Sequence, residues 1–422
     1  MTDRYLLRQT AMLGLAANAI RPLPGMPLSP VSFFSGWLTS ELAPQLLGVL
    51  AVDNAVHLAR HGLRRRGDKA GLTIGALAGA GLAASIAAGR GTHQELTRAL
   101  EEAIGPDAAA GDGPLDSTVP WRKLAMPFRM RNADVVRERN IAYTPTGRRG
   151  RLDVYHHRDT GERRPILLQI HGGGWVIGNK DQQGIPLMLE MASRGWVCAA
   201  VNYPLSPRAH WPDHLIAIKR AVAWLREHAV DYGADPDFIA VTGGSAGGHL
   251  AAMLALTAND PGLQPGFADT DTSIQACVPH YGVYDFAGET GIKAVRQRVE
   301  SPLSAIVLGR NAQFPRDYLA ASPMAHLRAD APPFFVLHGE NDSLVPVAEA
   351  REFVARLREV SRNPVAYAEL HGAQHAFDVF PSLRSVQAVQ AVARFLEWSR
   401  TTVDNEGATV AAGAGQEGMG LA

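Results

Sequence analysis

Two kinds of hydrophobic pattern alternate along the middle of the chain. The short apolar or alternating runs "RLDVYHH", "PILLQI", "WVCAAVNY", "FIAVTG", "IQACVPHYG", "PFFVLHG" and "VAYAELHG" have the length and residue types of β-strands. Stretches such as "PDHLIAIKRAVAWLREHAV" and "VAEAREFVARLREV" lie between them and repeat apolar residues at the spacing of one helix face. Strands that alternate with helices predict an α/β protein with a mostly parallel sheet and helices on both faces.

The pattern changes near residues 118 and 400 and divides the chain into three parts. Residues 1–118 are rich in Ala, Gly and Leu with few strand signals, which predicts a helical N-terminal region. Residues 119–400 carry the alternating pattern of the α/β domain. Residues 401–422, "TTVDNEGATVAAGAGQEGMGLA", lack bulky apolar periodicity, so we expect them to be disordered.

Composition limits the classes of function. The chain has 422 residues, 46% of them hydrophobic, which is enough for a catalytic-size domain and an additional region. Its 41 basic and 41 acidic residues balance, so no overall positive field attracts nucleic acid, and no nucleic-acid partner is expected. Cys198 and Cys277 lie in apolar strand-like runs, and we expect buried, unreactive thiols rather than a disulfide or a metal site.

A glycine-rich turn gives the clearest catalytic signal. In "FIAVTGGSAGGHLAAMLALTA" a strand pattern runs into "GGSAG" at residues 243–247, and a helix pattern follows. This is the setting of the G-x-S-x-G nucleophile elbow, which holds its serine in a strained turn between strand and helix. Gly243 and Gly247 must be small because the turn is tight. The sequence therefore predicts Ser245 as a nucleophile.

A serine hydroxyl needs a base and an orienting carboxylate, which follow it in the order Asp, then His, in this kind of fold. The run "PFFVLHG" is followed by Glu340 and Asp342, and we select Asp342. The run "VAYAELHG" is followed by a loop that contains His375, which we assign as the base. His371, at the end of that strand, is given a structural role.

Three consecutive glycines follow another strand, in "IHGGGWVIG". Glycine tolerates positive φ and close approach, so three glycines at a strand end predict N–H groups turned toward a bound group. Beside a serine nucleophile, such donors stabilise the negative charge that develops on the carbonyl oxygen. We expect Gly173 and Gly174 to donate these hydrogen bonds together with the N–H of Ala246.

The motifs "HGGGW", "GGSAGG", "HGENDSLVP" and "HGAQHAF" occur in this order. Over roughly residues 152–398 the chain thereby resembles the α/β-hydrolase esterases of the hormone-sensitive-lipase type and the neighbouring bacterial carboxylesterase and kynurenine-formamidase-like groups. The resemblance implies an eight-stranded, mostly parallel sheet and neither a cofactor nor a metal. It also implies a triad and an oxyanion hole at the positions chosen above: Ser245, Asp342 and His375, with Gly173, Gly174 and Ala246.

The chain departs from that family's pattern at two places. In "VNYPLSPRAHWPDHL", Pro204 and Arg208 stand where the family usually has Arg and Glu, and Gly244 stands where many lipase-type members have Asp. These departures leave the triad intact, but they leave the subfamily, and hence the substrate, open.

Members of the family usually carry a cap over the site, and residues 285–319 are the expected insertion here. The apolar residues 306–308 within it either line an acyl pocket or pack on the sheet. Trp175 and Tyr203, at strand ends, are expected to border the pocket.

Residues 70–89 are twenty residues without a charge, which is long enough to cross a bilayer. Small residues recur there every four positions and form a ridge that another helix can approach closely, in a membrane hairpin or in a tight soluble cap: Gly71, Gly75, Gly79, Ala83 and Ala87. The preceding basic stretch "ARHGLRRRGDKAG" would face anionic headgroups on the cytoplasmic side. We expect membrane association through residues 31–89, at the membrane or cell envelope, with a cytoplasmic protein as the alternative.

These signals predict a serine carboxylesterase or lipase-like hydrolase that cleaves small-molecule or lipid esters, with short to medium acyl chains, through an acyl-enzyme. An amidase or arylformamidase with the same triad is one alternative. A hydrolase-fold binding or membrane-scaffold protein without turnover is another. The sequence leaves the oligomeric state open.

Overall fold

The computed structural model describes residues 4–23, 29–110, 115, 118, 121–159 and 161–417, without the side chains of residues 110 and 404–417. The helices are α1 (Arg4–Ile20), α2 (Ser29–Glu41), α3 (Ala43–His61), α4 (Arg66–Ile104), α5 (Pro106–Ala110), α6 (Trp121–Ala125), α7 (Ile185–Ser193), α8 (Asp213–Glu227), α9 (Ala246–Leu256), α10 (Lys293–Val299), α11 (Pro302–Leu308), α12 (Arg316–Ala320), α13 (Val347–Val360) and α14 (Leu383–Glu417). The strands are β1 (Val135–Ala142), β2 (Arg151–His157), β3 (Arg164–Ile170), β4 (Val197–Val201), β5 (Ala234–Gly244), β6 (Ala276–His280), β7 (Phe334–Gly339) and β8 (Val365–Leu370).

The strands form one sheet of eight in the order β1-β2-β4-β3-β5-β6-β7-β8. The strand β2 is antiparallel to both β1 and β4, whereas all pairs from β4 to β8 are parallel. Every residue of β4 and β6 is buried, as expected for parallel strands covered on both faces. The α/β class and the eight-stranded, mostly parallel sheet are confirmed.

Helices cover both faces of the sheet. Residues of α8, α9 and α13 form one core with one face, and residues of α7, α14 and the C-terminal part of α4 form a second core with the other. Alternate residues of the strands supply the two cores, as Leu168 and its neighbour Leu167 do in β3. Cys198 and Cys277 are buried in different cores and are not bonded to each other, so the expectation of buried free thiols is confirmed.

The helical N-terminal region is confirmed, and α4 is its longest element at 39 residues. A Cβ atom at Gly71 would collide with the ring of Tyr5, and one at Gly75 with the side chain of Gln9, so the predicted ridge does let α1 approach. Ala83 and Ala87, later in the same ridge, are exposed. A four-residue spacing rotates about 40° per step around a helix of 3.6 residues per turn, which turns the ridge away from its partner.

Residues 285–319 contain α10, α11 and α12 and lie between β6 and β7. Of the three residues at 306–308, Val307 and Leu308 are buried in the core, whereas Ile306 is 38% exposed. Packing on the body of the domain, rather than lining a pocket, therefore accounts for Val307 and Leu308.

The C-terminal segment differs from the expectation. The helix α14 continues to Glu417, whereas we expected disorder from residue 401. The segment holds alanines, which favour a helix, together with glycines, which oppose it, so local propensity alone does not account for the extension. Residues 418–422 of the predicted tail lie outside the described residues.

A buried ion pair joins the N-terminal region to the α/β domain. Glu41, at the end of α2, pairs with Arg384 of α14, and each side chain is only 1% exposed. Glu41 also accepts a 2.6 Å hydrogen bond from the hydroxyl of Ser382, and Arg384 donates to the carbonyl oxygen of His371 at 3.1 Å. The helix α2 is thereby fixed to the segment that follows β8.

Candidate active site

Ser245 lies in a tight turn between β5 and α9. Its φ of 58° and ψ of −119° are unusual for a residue with a side chain, and its N–H donates to the carbonyl oxygen of His280 at 2.9 Å. A Cβ atom at Gly243 would lie 2.6 Å from the carbonyl oxygen of Gly247, and one at Gly247 would lie 2.1 Å from that of Ile170. Both positions therefore require glycine, because the turn is too tight for a side chain.

The glycine at position 244 has a different explanation. A Cβ atom there would lie 2.6 Å from the Oη atom of Tyr281, so the Tyr281 side chain fills the space into which an aspartate at this position would project. The ring of Tyr281 lies 4.5 Å from that of His375, and its hydroxyl donates to Asp378. No sequence motif pointed to Tyr281. Its only signal was its place directly after β6.

Asp378 carries a buried charge behind this tyrosine. Its Oδ2 atom lies 2.7 Å from the Nδ1 atom of His280. Burial alone would raise the pKa of Asp378, but His280 and the Tyr281 hydroxyl lower it below its usual value. Burial, together with the Asp378 charge, raises the pKa of Tyr281 well above its usual value, so the phenol remains protonated as a donor.

Asp342 and His375 form a buried pair on the loops that follow β7 and β8. The Nδ1 atom of His375 lies 2.6 Å from Oδ2 of Asp342, and the two side chains are 5% and 0% exposed. The other carboxylate oxygen accepts the N–H groups of Leu344 and Val345 at 2.9 and 2.8 Å. Nδ1 of His375 is therefore the donor to Asp342, and Nε2 is left for chemistry.

The charge of Asp342 is strongly stabilised. Burial alone would raise its pKa, but the pKa is held well below its usual value by the neighbouring imidazoles of His375 and His338 and by their hydrogen bonds. The Nε2 atom of His338 lies 3.2 Å from Oδ2 of Asp342 and 2.9 Å from the carbonyl oxygen of Val345. No sequence motif pointed to His338, although its place at the end of β7 was a usable signal.

The histidine and the carboxylate that were not selected for the triad, His371 and Glu340, pair with each other at the surface. Nδ1 of His371 lies 2.7 Å from Glu340, with side chains 67% and 41% exposed. The buried carboxylate–imidazole pair is therefore Asp342 with His375, the pair selected from the sequence. Gln374 ties the two loops together, because its side-chain oxygen accepts the N–H groups of Ser343 at 2.8 Å and His375 at 2.9 Å.

The glycine loop after β3 lies against Ser245. A Cβ atom at Gly172 would be 3.1 Å from the Cβ atom of Ser245. Gly173 and Gly174 have φ values of 115° and 59°, and the carbonyl oxygen of Gly173 accepts the N–H of Ile177 at 3.0 Å. Among the residues that the structure describes, the N–H groups of Gly173 and Gly174 meet no acceptor, so both remain available to a substrate.

Trp175 and Tyr203 support this loop from behind, and both are buried. The indole N–H of Trp175 donates to Nδ1 of His249 at 3.2 Å, and the hydroxyl of Tyr203 donates to the carbonyl oxygen of His171 at 2.9 Å. Burial lowers the pKa of His171 to about 4 and that of His249 to about 3, so both are neutral near pH 7. Their expected role as pocket walls stays a prediction.

No group of three or more His, Cys, Asp or Glu side chains within the described ranges is arranged to hold a metal ion.

Comparison with known proteins places this site in a family. The BD-FAE family matches residues 152–357. The chain is 43% identical to the probable carboxylic ester hydrolase LipM of Mycobacterium tuberculosis, over 93% of this chain and 94% of that protein. It is 48% identical to the esterase LipQ of the same organism, over 61% of each chain. Among solved structures, esterase Est2 of Thermogutta terrifontis with bound butyrate superposes with a TM-score of 0.51 at 28% identity, covering 63% of this chain and 93% of that one.

The fold and these relatives define an α/β-hydrolase that acts on carboxylic esters. The chain belongs to the esterase family that includes LipM, and the resemblance drawn from its motifs is confirmed.

The depressed pKa of Asp342 predicts how stability depends on pH. The unfolded chain titrates this carboxyl near its ordinary pKa of about 3.9. Its contribution to folding is therefore fully present above that value and is lost as the pH falls toward the lower folded value. We expect Asp342→Asn to lower the free energy of unfolding most at neutral pH, and the difference from wild type to shrink below about pH 4.

Urea unfolding between pH 3 and 7, measured on wild type and variant, checks this. Asp159→Asn, at an exposed loop residue, is the control. A difference between wild type and Asp342→Asn that is the same at every pH would contradict the assignment of a buried, ionised Asp342.

Proposed function

We propose that this esterase works through a covalent acyl-enzyme formed on Ser245, with His375 as the base and Asp342 as its orienting carboxylate. The observation that carries the proposal is the buried 2.6 Å pair of Asp342 and His375 at the edge of the sheet where β5 delivers Ser245. Loops that follow parallel neighbouring strands open at one edge, which brings the three side chains toward one place.

In the first step, Oγ of Ser245 attacks the ester carbonyl carbon while Nε2 of His375 accepts the hydroxyl proton. Asp342 holds the imidazole by its Nδ1–H and stabilises the imidazolium that forms. The N–H groups of Gly173, Gly174 and Ala246 donate to the oxyanion. The intermediate collapses when His375 returns the proton to the departing alkoxide. Water then attacks the acyl-enzyme while His375 accepts its proton, and the acid leaves as Ser245 regains a proton from His375.

The proposed substrates are esters with short to medium acyl chains. Support comes from Est2, whose structure was solved with butyrate bound. On the protein side, the Cδ2 atom of Leu303, from α11, lies 4.0 Å from where a Cβ atom of Gly174 would be. An apolar side chain therefore borders the loop proposed to bind the carbonyl oxygen. An amide substrate would use the same groups, so the ratio of ester to amide turnover is the measurement that separates the two.

Ser245→Ala removes the nucleophile without changing the packing of the turn. We expect kcat/KM toward p-nitrophenyl butyrate to fall by at least about 10⁴-fold, because the oxyanion donors alone supply only a small part of the rate. Ser361→Ala, on the turn before β8 at the opposite edge of the sheet, is the matched control and should retain wild-type turnover. Turnover by Ser245→Ala equal to that of the control would refute the proposed nucleophile.

We also propose membrane association through residues 31–89, which pack together with α1. The helix α4 is long and apolar enough to cross a bilayer, and only 28% of its most apolar window is buried. Its uncharged segment 70–89 is about 30 Å long at 1.5 Å per residue, about the thickness of a hydrocarbon core.

The outward face of this helix bundle is mostly apolar, and its interior combines a small apolar core with buried polar contacts. Its interior holds polar contacts: Tyr5 to Asn54 at 2.7 Å, Gln9 to Asp53 at 2.7 Å and His57 to Asp68 at 3.0 Å. Its outward positions are mostly small or apolar, including Val49, Val52 and Val56 on α3 and Ala76, Leu77 and Ala80 on α4. Polar groups inside and apolar groups outside suit a lipid surround.

Exposed basic residues lie in and around the connection between α3 and α4, at one end of the bundle: Arg60, Arg64, Arg65, Arg66 and Lys69.

Fractionation of cells that express the full chain tests this proposal. We expect the protein in the membrane fraction after an alkaline wash and its release by detergent. Leu77→Arg places a charge on the outward face of α4, where it costs roughly 2.5–3.5 kcal/mol in a bilayer, and should shift protein out of that fraction. Full-length wild type found wholly in the soluble fraction, with no need for detergent, would refute membrane association.

A further inference from the structure

The helix α2 lies over the catalytic histidine, with aromatic residues next to it on an inner side that also holds polar residues such as Ser32 and Thr39, and with apolar residues on its outer side. On its inner side, the ring of Phe33 meets that of His375 edge-on with centroids 5.6 Å apart, and Trp37 stacks on Phe33 at 5.6 Å. On its outer side, Val31, Phe34 and Leu38 are 68%, 58% and 38% exposed. These three residues, at spacings of three and four, form one stripe, which we call the α2 outer stripe.

The catalytic loops rest directly on the ends of the N-terminal helices. The side-chain amide of Asn341 donates to the carbonyl oxygens of Ala19 and Ile20, at the end of α1, at 3.1 and 2.9 Å. Position 341 is next to Asp342, so the end of the bundle and the catalytic carboxylate lie together. The opposite end of the same bundle carries the basic hairpin that starts at Arg60.

The direction of α2 follows from its junction with α3. The two helices meet at an angle of 81° across a break of one residue. If α3 runs along the normal of a bilayer, α2 lies almost in the plane of its surface. The α2 outer stripe then continues the apolar exterior of the bundle, while Phe33 remains on the catalytic side.

The short helix α6 and the residues just after it combine exposed aromatic and basic side chains, as segments at a membrane interface do. The helix α6 lies beside the start of α3, near the junction with α2. Its residue Leu124 accepts a 2.7 Å hydrogen bond from Gln45, near the start of α3. Trp121, Met126 and Phe128, in and just after α6, are 61%, 59% and 67% exposed. Exposed basic side chains lie among them, which complements anionic headgroups: Arg122, Lys123, Arg129 and Arg131.

We infer that the enzyme takes its ester from the bilayer, with the α2 outer stripe and α6 seated on the lipid surface. This inference rests on the proposed ester hydrolysis and membrane association. The substrate class is then a membrane-dissolved ester. A water-soluble ester would reach the same triad without using this surface.

The test compares two substrates on the full chain reconstituted in vesicles of phosphatidylcholine and phosphatidylglycerol. One is hexadecyl acetate, held in the bilayer by its alkyl chain and followed by release of acetate, and the other is water-soluble p-nitrophenyl acetate, which carries the same acyl group. We expect the variant Val31→Ser, Phe34→Ser, Leu38→Ser to lose at least about tenfold in turnover of the bilayer ester and far less with the soluble ester. Val230→Ser is the control, because Val230 is 82% exposed just before β5, at the opposite edge of the sheet.

The outcomes distinguish failure of this inference from failure of the proposed ester hydrolysis. Equal losses with both substrates, or no loss with the bilayer ester, would overturn the inference. Wild type that cleaves the soluble ester but not the bilayer ester would overturn it too, while leaving the esterase proposal intact. Wild type that cleaves neither would overturn the proposed hydrolysis itself.

A label provides a readout that does not depend on activity. Burial raises the pKa of the thiols of Cys198 and Cys277, so a cysteine at an exposed site reacts selectively with a fluorescent maleimide. A fluorophore at Phe34→Cys should be quenched by lipids that carry a spin label near the headgroup, and one at Val230→Cys should not. Equal quenching, or none, at the two positions would contradict the docking of α2.

Discussion

The site depends on keeping one carboxylate charged in the interior of the protein. Burying an ion costs several kcal/mol unless its oxygens are satisfied. Asp342 meets this requirement with two backbone N–H groups and two imidazoles, and its pKa is held well below its usual value as a result. The same contacts fix the loop after β7, and Gln374 extends them to the loop that holds His375. The orientation of the His375 imidazole is therefore determined by electrostatics and not by packing alone.

A second, largely buried carboxylate lies three residues beyond His375. Asp378 accepts the hydroxyl of Tyr281 and pairs with His280, while the tyrosine ring packs on His375. This arrangement explains why position 244 is a glycine, since a side chain there would displace Tyr281. The departure from the family's aspartate at that position is thus part of a different way of packing the space beside the nucleophile.

The sequence predicted the parts of the site that depend on local structure. The turn at Ser245 could be recognised because strand, glycines and helix follow one another in the chain, and Asp342 and His375 because each comes directly after a strand. Tyr281, His338 and Phe33 could not be recognised in this way. Their roles arise from contacts between segments that are distant in sequence, as when α2 places Phe33 on the ring of His375.

One other difference has a local cause, the geometry of the helix. The small-residue ridge of α4 packs on α1 at Gly71 and Gly75 but leaves Ala83 and Ala87 exposed, because the helix turns at 3.6 residues rather than four. Trp175 and Tyr203 also follow strand ends and are buried beneath the glycine loop, and their role as pocket walls stays a prediction.

The central claim is that Ser245 is a nucleophile activated by His375, and covalent trapping tests it most directly. A fluorophosphonate should react once per chain, mass spectrometry should place the adduct on Ser245, and His375→Ala should abolish the labelling. An adduct on another residue, or labelling of Ser245 that is unchanged in His375→Ala, would contradict the account.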